Sequence, residues 1–261
     1  MTYHSDIVRQ EWLGKIYGPL RNRMLGSMDE IVATSSQYVE SSPVLSKAEF
    51  ASRLHVIPLG IDEKTYTASA DENIFRRIGL AVEEPFFLFL GVIRYYKGLQ
   101  ILLRSAAQVR ARIVIAGSGP DGEALRRLAD SLGVKSVIFS GQVQEEEKIA
   151  LLRRCRALVL PSNLRSEAYG MALVEGAMFG KPMISCEIGT GTSFVNLHEK
   201  TGLVVRPESP EELACAMNRL LDDIGLADRY GQAARQRYET VLSGEAMGRA
   251  YMQLYQGILS K

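Results

Sequence analysis

Residues 86–120, FFLFLGVIRYYKGLQILLRSAAQVRARIVIAGSGP, contain the pattern that decides the fold. Two short apolar runs, 86–90 and 113–116, are separated by a glycine-bounded loop and by a segment, 98–109, whose apolar residues have helical spacing. Short strands without polar alternation are typical of a parallel sheet that helices cover on both faces. This stretch therefore predicts a strand-helix-strand unit of an α/β domain.

The alternation of strands and helices continues on both sides of this unit. Downstream strands are predicted at 137–139, 157–160, 182–186 and 202–205, and helices at 145–154, 169–179, 210–221 and after the turn at 117–121. Upstream, strands at 31–34 and 54–58 flank a helix that begins at Ser35 or Ser36, before a polar segment, 61–73. We expect a doubly wound domain over about 74–222, with ligands bound beyond the carboxyl ends of its strands.

Composition excludes several classes of protein. Of the 261 residues, 46% are hydrophobic and 23% are charged, which is typical of a globular chain with a full-sized core. Lys plus Arg (31) balances Asp plus Glu (30), so a nucleic-acid partner is not expected and any anion is bound locally. Three widely spaced cysteines form no disulfide or metal framework, and no signal peptide or membrane-spanning run is present, which predicts a cytoplasmic protein.

An amphipathic basic helix is predicted at 7–25. Its apolar residues recur at helical spacing, and Lys15, Arg21 and Arg23 lie between them. Two roles fit this pattern: a surface helix packed on a sheet, and a helix that associates peripherally with the inner membrane.

The loop from Gly91 to Gly98 has the features of an anion site. It follows a strand, has a glycine at each end, contains Arg94 and Lys97, and leads directly into a helix. Glycines let backbone N–H groups approach an anion, and a helix amino terminus adds partial positive charge. The alternative is a glycine-capped turn with two solvated cations, since neither dinucleotide nor P-loop motifs are present.

Two carboxylates separated by seven residues form the most specific motif, within residues 161–182, PSNLRSEAYGMALVEGAMFGKP. Glu175 lies in the first turns of an apolar helix, where a carboxylate is rarely buried without a partner. A ribose diol would supply two donors to it, and Glu167 could receive sugar hydroxyls. The alternative role for both carboxylates is helix capping. This alternative fits Glu175 less well, because Glu175 lies past the capping position.

These residues resemble the E-x7-E signature of the large retaining GT-B glycosyltransferase family, which uses nucleotide-diphosphate sugars. The resemblance predicts a GT-B type fold, with one complete Rossmann-like domain and a partial second one. Four further segments resemble family elements: the interdomain segment at 57–62, the basic phosphate loop at 91–98, the GxGP turn at 116–120 and the base-contacting loop at 141–143.

The resemblance implies a role for each matching residue. Arg94 and Lys97 would hold the diphosphate, Glu167 the donor hexose and Glu175 the ribose, while backbone near Val143 would contact the base. The donor-binding set implied in this way is Gly91, Lys97, Val143, Glu167, Gly170, Met171, Ala172, Leu173 and Glu175. Many relatives have the arginine directly after the first glycine, where this chain has Val92, so Lys97 is the safer assignment.

The donor sugar is predicted from a second loop. Residues 189–198, GTGTSFVNLH, resemble a form of this loop found in bacterial O-antigen mannosyltransferases. Together with Tyr95 and Tyr96 in the phosphate loop, this favours GDP-mannose over a UDP-hexose as donor. The implied acceptor is a saccharide or a lipid-linked intermediate of surface polysaccharide (O-antigen) synthesis.

One of the three histidines matches a family motif. His4, in the sequence YHSD, resembles the histidine loop of the amino-terminal domain, which faces the donor sugar across the cleft. The predicted catalytic residues are therefore His4, Arg94, Lys97 and Glu167. For His55 and His198 a structural role is expected.

The implied mechanism is a front-face transfer, in which positive charge stabilises the departing diphosphate and the donor phosphate accepts the acceptor's proton. No cofactor and no metal are expected, since the sequence has no D-x-D or His-carboxylate motif near the phosphate loop.

The predicted domains are 1–57, a remnant of the acceptor-side domain, 58–242, the nucleotide-sugar domain, and 243–261, a helix that returns to the first. Because two such domains need more than about 300 residues, the amino-terminal domain is expected to be truncated. The alternatives are a donor-binding module without transfer activity and, less favoured, a nucleotide-sugar epimerase.

Overall fold

The computed structural model describes residues 1–4, 6 and 11–260, without the side chains of 11–16. The amino-terminal unit is a three-stranded parallel sheet in the order β1-β2-β3, with two helices. Its elements are β1 (Thr2–Tyr3), α1 (Glu11–Gly26), β2 (Ile31–Ala33), α2 (Ser36–Ser41) and β3 (Leu54–Val56). Its small core consists of buried side chains from these elements and from the segment between α2 and β3, among them Tyr3, Leu25, Ile31, Tyr38 and Phe50.

The larger unit is a six-stranded parallel sheet in the order β6-β5-β4-β7-β8-β9. Its strands are β4 (Phe86–Leu90), β5 (Arg112–Ala116), β6 (Val137–Gly141), β7 (Ala157–Leu160), β8 (Met183–Cys186) and β9 (Gly202–Val205). All residues of β4, β7 and β8 are buried, as expected for strands that helices cover on both faces. The chain runs outward from β4 to β6 and then crosses back to β7, which creates a crevice beyond the carboxyl ends of β4 and β7.

Nine helices accompany the second sheet in the described part of the chain. They are α3 (Asn73–Arg77), α4 (Leu99–Ser105), α5 (Gly122–Leu132), α6 (Glu145–Arg154), α7 (Met171–Met178), α8 (Gly191–Val195), α9 (Pro210–Asp222), α10 (Ile224–Arg237) and α11 (Gly244–Leu259). One continuous apolar core joins the sheet to most of these helices. The predicted fold class, a complete doubly wound domain with a partial second one, is confirmed.

Some predicted boundaries were wrong. The predicted helix at 98–109 ends at Ser105 and continues as a short 3-10 turn, Ala106–Gln108. The predicted helix at 169–179 begins at Met171 because Gly170 has a left-handed backbone with φ of 86°. The basic helix predicted at 7–25 is observed as α1 from Glu11, and residues 7–10 lie outside the described residues.

The segment that connects the two units lies against the carboxyl-terminal part of the chain. Ile61 N donates to Leu242 O (3.2 Å), and Gly244 N donates to Ile61 O (2.8 Å). A Cβ atom on Gly60 would lie 2.3 Å from Ser243 O, so only glycine fits this close approach. Beyond it, α11 lies beside the amino-terminal unit, where the Tyr251 hydroxyl is 2.8 Å from Thr2 Oγ1.

Candidate active site

The predicted phosphate loop meets the loop of the first carboxylate at the crevice between β4 and β7. Asn163 N donates to Tyr96 O (3.1 Å), which joins the two loops. A Cβ atom on Gly98 would lie 1.9 Å from Pro161 O, and Gly98 has φ of 66°, so this position requires glycine. The close approach brings the side chains at the end of each loop together.

Lys97 and Glu167 form an ion pair at this junction. Lys97 Nζ lies 2.5 Å from Glu167 Oε2, and the side chains are 13% and 10% exposed. Ser162 Oγ donates to the same carboxylate oxygen (3.1 Å), and Thr190 Oγ1 donates to the Glu167 carbonyl (2.8 Å). The structure thus brings together two of the residues predicted from separate motifs and holds Glu167 by both its side chain and its main chain.

Arg94 is placed differently. Its side chain is exposed, and it forms no ion pair with any residue that the structure describes. Gly91, at the start of the same loop, has φ of 141°, and nothing lies within 4 Å of the position that a Cβ atom would take there. Tyr95 and Tyr96 pack edge to face, with ring centroids 5.3 Å apart. Arg94 is therefore available to a ligand but is not positioned by the protein as Lys97 is.

The turn at 117–120 supports the phosphate loop from behind. Ile93 N donates to Ser118 O (2.9 Å), and a Cβ atom on Gly117 would lie 1.9 Å from Gly91 O. A Cβ atom on Gly119 would lie 2.1 Å from Ile93 O. Both glycines of this turn therefore serve close backbone packing, which fixes the position of the loop from Gly91 to Gly98.

Glu175 lies in the second turn of α7 and belongs to a second polar cluster, whose other members sequence reasoning did not identify. Tyr66 donates its hydroxyl to Glu175 Oε1 (2.6 Å), and Lys148 Nζ donates to the same oxygen (3.0 Å). The Glu175 side chain is 15% exposed. Burial, together with the neighbouring Glu175 carboxylate, raises the pKa of the Tyr66 hydroxyl, so it remains a donor at neutral pH.

Tyr66 and Lys148 could not be assigned from their own sequence context. Tyr66 lies in the polar segment 61–73, which follows β3, and Lys148 is one of several charged residues on α6. The Lys148 ammonium also lies 4.4 Å from the centroid of the Tyr66 ring. The sequence indicated only that a buried Glu175 carboxylate needs a partner, and not which residues supply it.

The amino terminus of α7 contains the remaining predicted donor-binding residues. Gly170 precedes the helix, Met171 is exposed, and Ala172 is partly buried. Leu173 is fully buried in the core, so it can reach a ligand only through its main chain.

Val143 and His4 form no hydrogen bond with Lys97 or Glu167 among the contacts of the described residues. Val143 is in the loop between β6 and α6, partly buried against the large core. His4 is exposed and directly follows β1 in the amino-terminal unit. In the described part of the chain, no group of three His, Cys, Asp or Glu side chains is arranged to hold a metal ion.

The other two histidines have structural contacts, as predicted. His55 Nε2 lies 2.8 Å from Glu30 Oε2, and Glu30 is buried. His198 Nδ1 accepts a hydrogen bond from Val204 N (3.0 Å), which orders the turn before β9.

Comparison with known proteins identifies the family. The glycosyl transferases group 1 family profile matches residues 70–237, most of the larger unit. The chain belongs to this family. The predicted enzyme class, a glycosyltransferase, is thereby confirmed, and the E-x7-E motif lies within the matched residues.

Two curated glycosyltransferases resemble the chain over nearly all of its length. The O-antigen chain mannosyltransferase C of Escherichia coli is 44% identical over 99% of this chain and 69% of its own. The D-rhamnosyltransferase WbpZ of Pseudomonas aeruginosa is 45% identical over 93% of this chain and 63% of its own. The chain thus spans about two thirds of the length of these glycosyltransferases.

Solved structures confirm the predicted GT-B type fold. The sucrose-phosphate synthase of Thermosynechococcus elongatus matches 99% of this chain and 67% of its own, with a TM-score of 0.81 and 26% identity. HepE of Anabaena, solved in complex with UDP, matches 98% of this chain and 71% of its own, with a TM-score of 0.79 and 20% identity.

Proposed function

We propose that this group 1 glycosyltransferase moves a hexose, mannose from GDP-mannose, to a saccharide or lipid-linked acceptor in O-antigen synthesis, with retention of configuration. The observation that carries the proposal is the Lys97–Glu167 pair at the switch point between β4 and β7. The 44% identity to an O-antigen mannosyltransferase supports the sugar and the pathway. The rhamnosyltransferase at 45% identity makes a related deoxyhexose the nearest alternative.

In this proposal Lys97 stabilises the leaving group. Negative charge builds on the diphosphate as the glycosidic bond breaks, and a positioned ammonium with little exposure to water stabilises that charge strongly. Lys97 Nζ lies 2.5 Å from Glu167 Oε2, so a contact within the protein orients the ammonium. Arg94, exposed at the same loop, adds a second cation, and Glu167 accepts hexose hydroxyls.

The ribose is assigned to Glu175. Tyr66 and Lys148 both contact Oε1, which fixes the orientation of the carboxylate for a diol. Backbone near Val143 is assigned to the base, and the amino terminus of α7, from Gly170 to Leu173, to the sugar and phosphate. His4 is assigned to the donor sugar from the opposite side of the cleft.

Titration calorimetry of the purified chain with GDP-mannose and with UDP-glucose tests the donor site. We expect micromolar binding of GDP-mannose that is lost in Lys97→Ala and in Glu175→Ala, with Arg206→Ala, in an exposed pair with Glu212, as the control. Tighter binding of UDP-glucose would instead favour a UDP-hexose as donor. Binding of both donors that is unaffected by either variant would contradict the assigned site.

A second candidate function is a nucleotide-sugar-binding chain without transfer activity of its own. It is favoured by the position of both carboxylate clusters, the Lys97–Glu167 pair and Glu175 with its two partners, within the larger unit alone. Release of GDP from GDP-mannose in the presence of a lipid-linked saccharide distinguishes the two candidates. Because Lys97 and Arg94 supply the positive charge, we expect transfer to be fully retained in EDTA; a loss restored by Mg²⁺ would contradict this assignment.

Peripheral contact with the inner face of the cell membrane is also proposed, through α1. Tyr17, Leu20 and Met24 lie at helical spacing on this helix and are 53%, 63% and 40% exposed, with Arg23 exposed nearby. An apolar stripe flanked by cations fits the surface of anionic lipid. No helix of the described residues is long and apolar enough to cross a bilayer. Flotation with phosphatidylglycerol vesicles tests the proposal; failure to float with them would refute it.

A further inference from the structure

Arg165 links the Glu167 loop to the loop after β8 and to the amino-terminal unit. It lies two residues before Glu167, and its Nη1 donates to Gly189 O (2.9 Å) in the loop after β8. Its guanidinium lies 5.3 Å from the centroid of the Tyr38 ring, on α2 of the amino-terminal unit. Its Nη2 is 3.5 Å from Asp6 Oδ2. One side chain therefore contacts three segments that are distant in sequence.

Asp6 is held within the amino-terminal unit by its own contacts. Asp6 Oδ1 accepts hydrogen bonds from the Tyr3 hydroxyl (2.9 Å) and from Ser42 Oγ (3.0 Å). Its main-chain N donates to the Tyr38 hydroxyl. The Asp6 side chain is only 10% exposed. The carboxylate is thus fixed in position two residues after His4.

The remaining atoms of the two side chains face each other. Asp6 Oδ2 and Arg165 Nη2 are both buried, and neither has a hydrogen-bond partner among the described residues. Opposite charges at 3.5 Å with little solvent attract each other more strongly than exposed pairs do. Leaving either charge buried alone would be costly. The pair therefore favours the arrangement in which the amino-terminal unit stays against the β7–α7 loop.

We propose that Asp6 and Arg165 are positioning residues that hold the His4 segment and the Glu167 loop in fixed relation across the cleft. Ser41, which donates its hydroxyl to Gly189 O, strengthens the same contact from α2. Gly191 N, which donates to Ala168 O (2.9 Å), extends it along the loop to α8. The proposal deepens the proposed transfer function, since the two segments it joins contain residues assigned to the donor sugar.

Hydrogen exchange of the full chain tests the contact without any ligand. Asp6→Asn retains the acceptor for Tyr3 and Ser42 but removes the charge that faces Arg165. We expect amide exchange in 161–170 to become about tenfold faster in Asp6→Asn and at least as fast in Arg165→Met, which also loses the contacts with Gly189 and Tyr38. Adding Asp6→Asn to Arg165→Met should give no further increase. The control pair is Arg110→Met and Asp222→Asn, an ion pair that is 61% and 57% exposed. Unchanged exchange in 161–170, or additive effects in the double variant, would overturn the proposal.

Turnover separates positioning from general stability. With GDP-mannose and a saccharide acceptor, we expect kcat in Arg165→Met to fall about tenfold while the donor Kd changes less than about twofold, and Arg165→Lys to restore part of kcat. A variant with normal kcat but lower unfolding stability would show that the pair is only structural. A wild-type chain that has no turnover would count against the proposed function alone, because the exchange experiment would still decide the contact.

Discussion

The carboxylate of Glu167 is 10% exposed and depends on the Lys97 ammonium for its counter-charge. Removing one member of such a pair leaves an unpaired buried charge, whereas removing both does not. We expect Lys97→Met to lower the free energy of unfolding by about 3 kcal/mol, and the Lys97→Met/Glu167→Gln double variant to recover at least about 1 kcal/mol of it. Urea denaturation of the four proteins in the cycle measures this coupling.

A matched pair at the surface gives the control for that cycle. Arg219 and Glu199 are 2.9 Å apart, but their side chains are 49% and 54% exposed. Solvent screening makes such exposed pairs weak. A Lys97–Glu167 coupling energy no larger than that of Arg219 and Glu199 would show that the crevice does not exclude water as the burial indicates.

Tyr66 gives a second prediction for single residues. Tyr66→Phe keeps the aromatic ring under Lys148 and removes only the hydroxyl that donates to Glu175. Since a hydrogen bond to a charged group contributes about 1.5 kcal/mol or more, we expect the Kd for GDP-mannose to rise about tenfold. Tyr17→Phe, on the exposed face of α1, is the control. Calorimetry that finds equal affinity in Tyr66→Phe and wild type would show that the hydroxyl does not orient Glu175.

At the scale of elements, Gly98 decides how closely the phosphate loop approaches β7. Gly98→Ala places a Cβ atom 1.9 Å from Pro161 O at φ of 66°, so the loop must move. Gly133, at the end of α5, has a similar φ of 64° but nothing within 4 Å of its Cβ position. Gly133→Ala therefore measures the cost of the backbone strain without a steric clash. We expect Gly133→Ala to cost about 1 kcal/mol and Gly98→Ala at least about 3 kcal/mol. Only Gly98→Ala should also abolish donor binding.

Denaturation and calorimetry of both variants decide this prediction. If Gly98→Ala and Gly133→Ala lose equal stability and both bind donor, the β7–α7 loop is free to move with the phosphate loop. The ion pair between Lys97 and Glu167 would then form by adjustment of the loops, and not by fixed backbone packing.

The strands of the larger unit were predictable because burial on both faces makes them uniformly apolar, as in the FFLFL run of β4. The short helices α3 and α8, five residues each, were missed because so few residues show no helical period. The 14-residue helix α10 was also missed, since its buried face has only one leucine, and its other buried residues, two alanines, a glycine and a tyrosine, give a weak apolar stripe. Tertiary packing, not local propensity, determines these elements.

For the site, the sequence predicted the segments but not the pairings. Lys97 and Glu167 were predicted from separate motifs, and the β4–β7 crevice explains why they meet. Tyr66 and Lys148 come from elements without a motif, and contacts between distant segments have no signal in one sequence. All the assigned roles remain predictions that the donor titrations test, those of Lys97, Glu167 and Glu175 as well as those of Arg94, Val143, His4 and the α7 residues.

At the scale of the whole molecule, the segment that connects the two units is held in place by side chains from the carboxyl-terminal part of the chain. Tyr238 donates its hydroxyl to Ile61 O (2.9 Å), and Tyr169 donates its hydroxyl to Leu59 O (3.1 Å). Arg235, on α10, donates to both carboxylate oxygens of Glu63, at 2.8 Å each. The connecting segment is therefore fixed against the larger unit and does not behave as a free linker.

The ion pair between Glu63 in the connecting segment and Arg235 makes a pH-dependent contribution to the stability of the fold. The hydrogen bonds from Arg235 hold the pKa of Glu63 below its usual range. A carboxylate with a lowered folded-state pKa stabilises the fold above its unfolded pKa of about 4.3, and this stabilisation is lost as the pH falls through the folded value. Glu63→Gln should therefore cost about 0.5 kcal/mol at neutral pH, a small value because the Glu63 side chain is 52% exposed, and almost nothing near about pH 3. Urea denaturation at both pH values measures this difference, with Glu123→Gln, in an exposed ion pair within α5, as the control. If Glu63→Gln lowers the free energy of unfolding equally at neutral pH and near about pH 3, the charge of Glu63 does not have this role.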